Sequence, residues 1–208
     1  MTGTFVAFDG PDGSGKTTQV RMLARRLEGL GRPAVVVREP GGTPLAEEVR
    51  DLLLHAPHDI APNAEALLFQ VARADLVARV IRPALEQGRT VLADRFALST
   101  RCYQVAGRRL EDAGVAAAIA LATGGLAPHL YLVLDVAADE GRRRQQAEGK
   151  GPDRLERADK DFHDRVAQAF RNATGPSILH LNAEQAPEAI HAAAWRVLVE
   201  RFPEAFPG

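Results

Sequence analysis

The sequence predicts an α/β fold: a five-stranded parallel sheet with helices on both faces. Three observations carry this expectation. Five short apolar runs alternate with segments of helical periodicity, the order of a parallel sheet joined by crossover helices. The runs are nearly continuous in hydrophobicity, as strands buried on both faces are. The first run meets the first helical segment through Gly10-Pro-Asp-Gly-Ser-Gly-Lys16-Thr17, which fits G-x-x-x-x-G-K-[ST] at every fixed position.

In chain order, strands are expected at Thr4–Phe8, Ala34–Val37, Thr90–Ala93, Leu130–Leu134 and Ser177–Leu181. The first helix follows the glycine loop, where Val20, Leu23, Ala24 and Leu27 recur at helical spacing. Further helices are expected over Pro44–Leu54, Ala64–Leu85, Val115–Ala122, Ala138–Ala147, Leu155–Asn172 and Pro187–Phe202. Neither a repeat nor a linker interrupts this order, so residues 1–208 read as one domain. Glu148-Gly-Lys-Gly-Pro-Asp153 is the stretch richest in glycine and charge. A mobile lid over about 142–157 and an ordinary surface turn both fit it.

Composition narrows the function classes. Basic and acidic residues nearly cancel, 26 against 27, so no broad basic face for a nucleic acid polymer is expected. A single cysteine, Cys102, rules out an internal disulfide and suits a reducing compartment. The N-terminal stretch lacks a charged region followed by an apolar one, and no apolar run approaches membrane-spanning length. A cytoplasmic protein without a membrane partner is therefore expected. His55 and His58 flank Pro57 and do not share a helix face, so they read as loop residues, not a metal pair.

The glycine loop is the strongest single motif. Its glycines let successive N–H groups turn onto phosphate oxygens, and the helix that follows points its positive end at the same oxygens. The nucleotide phosphates are expected against Gly10, Pro11, Asp12, Gly13, Ser14, Gly15, Lys16, Thr17 and Thr18. Lys16 adds a full charge, and the Thr17 hydroxyl is placed to hold Mg²⁺. Polar residues then collect at the carboxyl ends of the strands: Asp9, Arg38-Glu39, Asp94-Arg95, Asp135 and Asn182. Ligands of open α/β sheets bind at that end, so one polar crevice shared with the loop is expected. For Asp135 and Asn182 a helix-capping role fits equally well. A GTPase needs a guanine-reading N-K-x-D segment. Asn63, Asn172 and Asn182 are not followed by lysine.

Further segments resemble those of bacterial thymidylate kinases. Arg38-Glu-Pro-Gly-Gly-Thr43 is similar to their R-E-P-G-G-T motif, Leu67-Leu-Phe-Gln-Val-Ala-Arg73 to their L-x-F-x-x-x-R helix, and Asp94 to Gln104 to their D-R-[YFH]-x-x-S-x-x-A-Y-Q segment. Asp153-Arg-Leu-Glu156 is similar to the D-R-[LI]-E of their lid. The matches occur in the family's order. The resemblance implies a P-loop nucleoside monophosphate kinase that moves the ATP γ-phosphoryl group to dTMP, with Mg²⁺, as a homodimer packing helices from the middle of the chain. The rival readings are a kinase for another pyrimidine monophosphate, or a nucleotide-binding regulatory protein without catalysis.

The resemblance also assigns roles. Arg38, Arg50 and Arg95 would hold the dTMP phosphate, a task suited to the planar guanidinium fork. Phe69 would stack on thymine, and Arg73, at i+4, would reach a base carbonyl. Thr100 and Gln104 would line the base pocket, and Tyr103 would crowd the sugar 2′ position. Asp12 would orient the acceptor or a metal-bound water. Asp9 and Asp94 would bind Mg²⁺ through water or hold basic groups in place. The family carries a catalytic cation either in the P-loop or in the lid. Gly13 removes the first option, so Arg154 is expected to supply it, with Arg144 and Lys150 behind. Gln145, Gln146 and Glu148 depart from arginine-rich lids, and Gln70 and Leu76 replace residues commoner in the family. Arg142 or Arg143 would stack on adenine.

Overall fold

The computed structural model of the protein describes residues 3–147 and 153–207. The middle of the expected lid, including Lys150, lies outside the described residues. The strands are β1 (Phe5–Asp9), β2 (Val35–Arg38), β3 (Val91–Asp94), β4 (Leu130–Asp135) and β5 (Ile178–Asn182). They form one parallel sheet in the order β2-β3-β1-β4-β5.

Each strand ends one residue later than its apolar run. The reason lies in the ladder: Phe8 pairs with Asp94, Arg38 with Asp94 and Asp135 with Asn182. Backbone pairing is indifferent to a polar side chain at the strand end. The carboxyl ends of the strands therefore present Asp9, Arg38, Asp94, Asp135 and Asn182 along one edge of the sheet.

Alternation along the strands divides the core into two layers. On one face Phe5, Ala7, Val91, Ala93 and Val133 pack with Leu76, Ile81, Leu85, Phe162 and Phe170. On the other, Val6, Phe8, Leu92, Leu132 and Leu134 pack with α1 (Lys16–Gly29) through Leu23 and Leu27, and later with Ile190 and Leu198. Helices thus cover both faces, as expected. α2 (Pro44–His55) begins at Thr43, whose side chain accepts from Ala46 N.

The long helix expected over Ala64–Leu85 is instead three pieces. α3 (Pro62–Leu76) passes into a π-helical turn, Val77–Ile81, and then α4 (Arg82–Glu86). Pro83 has no N–H to continue an α ladder, and the wider turn precedes it. After β3 come α5 (Ala97–Thr100) and a second π-helical segment, Arg101–Gly107, neither of which was expected from the sequence. α6 (Asp112–Thr123) and α7 (Ala138–Ala147) follow. The helix expected from Leu155 starts later, as α8 (Lys160–Arg171). Asp159 caps it, accepting from Phe162 N at 2.7 Å. Residues 154–157 are a turn before that cap. The chain returns through β5 to α9 (Pro187–Arg201). No helix among the described residues is long and apolar enough to cross a membrane.

Candidate active site

The order of the sheet reverses at β1, so the loop after β1 opens into a crevice at the carboxyl ends of the strands. A cleft of about 1320 Å³ lies there. The loop from Asp12 to Thr18 forms its floor, and Arg38, Arg50, Phe69, Arg73 and Arg95 line the opposite wall.

The floor depends on glycine. Gly13 has φ 74° and Gly15 has φ 89°, both in the left-handed region. A methyl group on Gly13 would collide with the backbone of Gly141, so α7 rests directly on the loop. The position at which a P-loop cation would stand is thus filled by helix backbone. Lys16 is buried and turns its ammonium to Gly10 O at 3.1 Å, Pro11 O at 2.8 Å and Ser14 Oγ at 3.3 Å. Burial, aided by the nearby Arg95 charge, lowers its pKa to about 8. Beside it the Thr17 hydroxyl donates to Asp94 Oδ2 at 2.5 Å.

Arg95 is the hub between floor and wall. It sits at φ 73°, rare for a residue with a Cβ and a mark of functional sites. Its N–H bonds Phe8 O, and its guanidinium donates to Gly10 O and Ser99 Oγ, both at 2.9 Å, and to Asp12. Tyr103 donates its hydroxyl to the other Asp12 oxygen at 2.5 Å. Burial opposes the Asp12 charge, but Arg95, Lys16 and the Tyr103 hydroxyl outweigh it and hold this carboxyl below its ordinary pKa.

On the wall, Arg73 is almost fully buried and forked onto Glu39, at 2.9 and 2.6 Å. Its third nitrogen donates to Gln70 Oε1 at 2.6 Å and Thr100 Oγ1 at 3.0 Å. Arg38 pairs with Glu47 at 2.8 Å near the surface, while Arg38 and Arg50 both donate to Pro40 O. Phe69 packs its inner edge on Ala46, Val49, Leu53 and Ala72 and shows the rest to the cleft. Thr100, Tyr103 and Gln104 also line it. Tyr103 and Gln104 follow Ser99 and Thr100 by four residues each, about one helical turn, so all four face the cleft.

Two expected site residues stand elsewhere. Asp9 is fully buried, and its oxygens accept from Gly10 N, Phe96 N, Ser99 N and Ser99 Oγ. No lone pair faces the cleft, so the metal role does not fit this placement; its other expected role, holding basic groups, does, with Arg95 3.8 Å away. Arg154 is also turned from the cleft. Its guanidinium meets Glu65 at 2.7 Å and donates to Leu53 O at 2.8 Å, because Glu65 is a fully buried carboxylate that needs counter-charge. The cations that line the cleft from α7 are Arg142, Arg143 and Arg144. Arg143 and Arg144 pair with Glu140, and Arg144 reaches Ala183 O at 2.9 Å.

Sequence reasoning gave no role to Glu39, Glu65, Gln70 or Ser99. Glu39 stands inside the Arg38–Thr43 motif, next to Arg38. Glu65 lies in the first turn of α3, where an acidic residue reads as a response to the helix dipole.

Fold and cleft together define a P-loop phosphotransferase whose cleft carries, across from the loop, a wall of arginines and one flat aromatic surface. Comparison with known proteins makes this specific. A family model described as thymidylate kinase matches residues 8–194. Thymidylate kinase of Deinococcus radiodurans is 44% identical over 202 residues, covering 96% of this chain and 98% of the relative. That of Chlorobium luteolum is 40% identical over 210 residues, with 96% and 98% covered. That of Bifidobacterium longum is 45% identical over 201 residues, with 93% and 96% covered. The chain belongs to the thymidylate kinase family.

Proposed function

We propose that this chain transfers the γ-phosphoryl group of ATP to the phosphate of dTMP, giving ADP and dTDP, a step that supplies dTTP. The observation that carries this is the continuity of the cleft: the glycine loop faces Arg38, Arg73, Arg95 and Phe69 across one space.

The chemistry asks little of acid–base groups. The acceptor phosphate has its second pKa near 6 and is already mostly ionised at neutral pH. The obstacle is repulsion between two polyanions and the charge on the group in transit, which preorganised cations offset. Lys16 and the loop N–H groups hold the donor. Arg38, Arg50 and Arg95 hold the acceptor phosphate. Arg95 bridges Gly10 O and Asp12, so a phosphate on it is fixed relative to the loop. Asp12, kept ionised, orients Arg95 and Tyr103. Phe69 stacks on thymine, while Arg73, Thr100 and Gln104 read its edge.

Thr17 and Asp94 are hard oxygen donors in contact with each other at the cleft, a pair that suits Mg²⁺. When bound, the ion neutralises charge on the β and γ oxygens. The segment around 142–157 would serve as the lid, and among its described residues the cations lining the cleft are Arg142, Arg143 and Arg144. The enzyme acts in the cytoplasm as a homodimer. Leu67 and Val71 on α3 are exposed, as is Leu121 on the packed neighbour α6, an apolar face suited to a second copy.

The test is ADP release with Mg-ATP and each of dTMP, dUMP, dCMP, GMP and AMP. dTMP is expected to be fastest, with dUMP behind it by about 10–200-fold, the range that one methyl group supports. ATP binding with no turnover on any of them would overturn the reading.

A further inference from the structure

We propose that Arg154 is a positioning residue: it latches the lid onto the base-binding half of the cleft by seating on Glu65, the carboxylate that also orients Gln104. The inference rests on the function proposed above.

Arg154 makes three contacts with two helices. Its backbone N–H donates to Leu54 O at 3.1 Å, its Nε donates to Leu53 O at 2.8 Å, and its Nη2 forms an ion pair with Glu65 Oε2 at 2.7 Å. Leu53 and Leu54 lie in the last turn of α2, where helix carbonyls lack intrahelical partners. α2 also carries Arg50, and α3 carries Glu65 itself, Phe69 and Arg73. One side chain therefore ties the lid to both helices that build the acceptor wall.

Glu65 passes this connection inward. It is fully buried, takes Arg108 at 2.9 Å and accepts from Gln104 Nε2 at 3.0 Å. A carboxylate only accepts, so the Gln104 amide must turn its nitrogen to Glu65 and keep its oxygen for a base. Burial pulls the Glu65 pKa up, but hydrogen bonds from Arg108 and Gln104 outweigh it and hold the group ionised. The lid end of the connection is equally knit. Asp153 Oδ1 accepts from Leu155 N and Glu156 N, and Glu156 accepts from Gln145 of α7 at 2.6 Å. α7 in turn lies on the phosphate loop through Gly141 and Gly13. A continuous set of contacts thus runs from Gln104 through Glu65, Arg154 and Glu156 to α7. Seating the lid and fixing the base-reading amide are one event.

A cation on the reacting phosphates and a latch differ in what they change. The experiment measures dTMP affinity by calorimetry without ATP, and kcat with Mg-ATP, for Arg154→Ala, Arg154→Lys, Glu65→Gln and the double variant Glu65→Gln/Arg154→Ala. Arg154→Ala is expected to weaken dTMP on the order of tenfold, the scale of a charge-assisted contact, with a loss in kcat no larger. Arg154→Lys, which folds with its charge in place, is expected to fall between, since an ammonium cannot fork onto Glu65 and Leu53 O together. The double variant is expected to be no weaker than the weaker single one, because both changes break one contact. Unchanged dTMP affinity in Arg154→Ala with kcat lowered on the order of 10³ or more, the scale of an arginine finger, would overturn the latch. So would multiplicative losses in the double variant. Unaltered protein that binds no dTMP would instead strike the functional reading.

Discussion

The loop between β1 and α1 builds its phosphate site from consecutive residues, 10–18. The opposite wall takes Arg38 from the end of β2, Arg73 from α3, Arg95 from the residue after β3 and Gln104 from a π-helical segment. The two sides also treat charge differently. Lys16 points its ammonium at two carbonyls and a hydroxyl. Three of the four wall arginines rest on carboxylates: Arg38 on Glu47, Arg73 on Glu39, Arg95 on Asp12, while Arg50 donates to Pro40 O. The floor thus holds its cation with neutral oxygens, whereas most of the wall's cations are already ion-paired. The difference teaches that local geometry alone specifies the donor site, while the acceptor site exists only once the sheet has brought distant elements together.

Arg95 joins the two sides, so its removal should break the comparison most visibly. Arg95→Ala is expected to lower kcat/KM on the order of 10³ or more, as loss of preorganised charge at a phosphoryl centre does. Steady-state kinetics on protein of unchanged circular dichroism would check this. A loss under about tenfold would mean that floor and wall act without this bridge.

The wall's pairing can be tested through stability. Glu39→Gln keeps the shape of the side chain but leaves Arg73 buried without counter-charge. The expected cost is about 3–5 kcal/mol of unfolding free energy, from denaturant midpoints at constant m. The floor predicts a different signature, in pH. Lys16 in the free enzyme has a pKa lowered to about 8 by burial, with Arg95 adding to it. Nucleotide phosphates favour its charged form. Below pH 8 the charge is present and ATP affinity is full. Above it, binding must take up a proton, so affinity should fall by about tenfold per pH unit. Lys16→Met should bind weakly at every pH and show no inflection there. A flat profile for unaltered Lys16 would remove the floor's part of the contrast.

The same contrast explains what could be read from the sequence. The five strands and the two-sided helical cover follow from apolar runs and periodicity, which are local. So does the P-loop, whose glycines, lysine and threonine are contiguous. The π-helical segment Arg101–Gly107 had no such signal, because its i to i−5 bonding answers to packing on α8 and α6, not to residue propensity. Glu65 was illegible for a related reason. Its partners Arg108 and Arg154 are 43 and 89 residues away in sequence. The family resemblance placed Arg154 in the lid, but residue type alone does not tell whether a lid arginine faces phosphate or a buried carboxylate.

The smallest expected effect sharpens the comparison within the wall itself. Arg38 and Glu47 form the same kind of pair as Arg73 and Glu39, but their side chains are 47% and 44% exposed against 2% and 5%. Water already solvates both charges, so the Coulomb attraction is screened and the net value of the pair is about 0–1 kcal/mol. Glu47→Gln should therefore leave the denaturant midpoint nearly unchanged, in contrast with Glu39→Gln. Glu47 also accepts from Gly42 N at 2.7 Å, a bond that a glutamine oxygen preserves. Freed from its carboxylate, Arg38 should hold the acceptor phosphate slightly better, so the KM for dTMP should stay level or fall by no more than about fivefold, the limit set by 1 kcal/mol. A midpoint shift as large as that of Glu39→Gln would show that burial does not separate the two pairs, and that Glu47 anchors the 38–47 segment on its own.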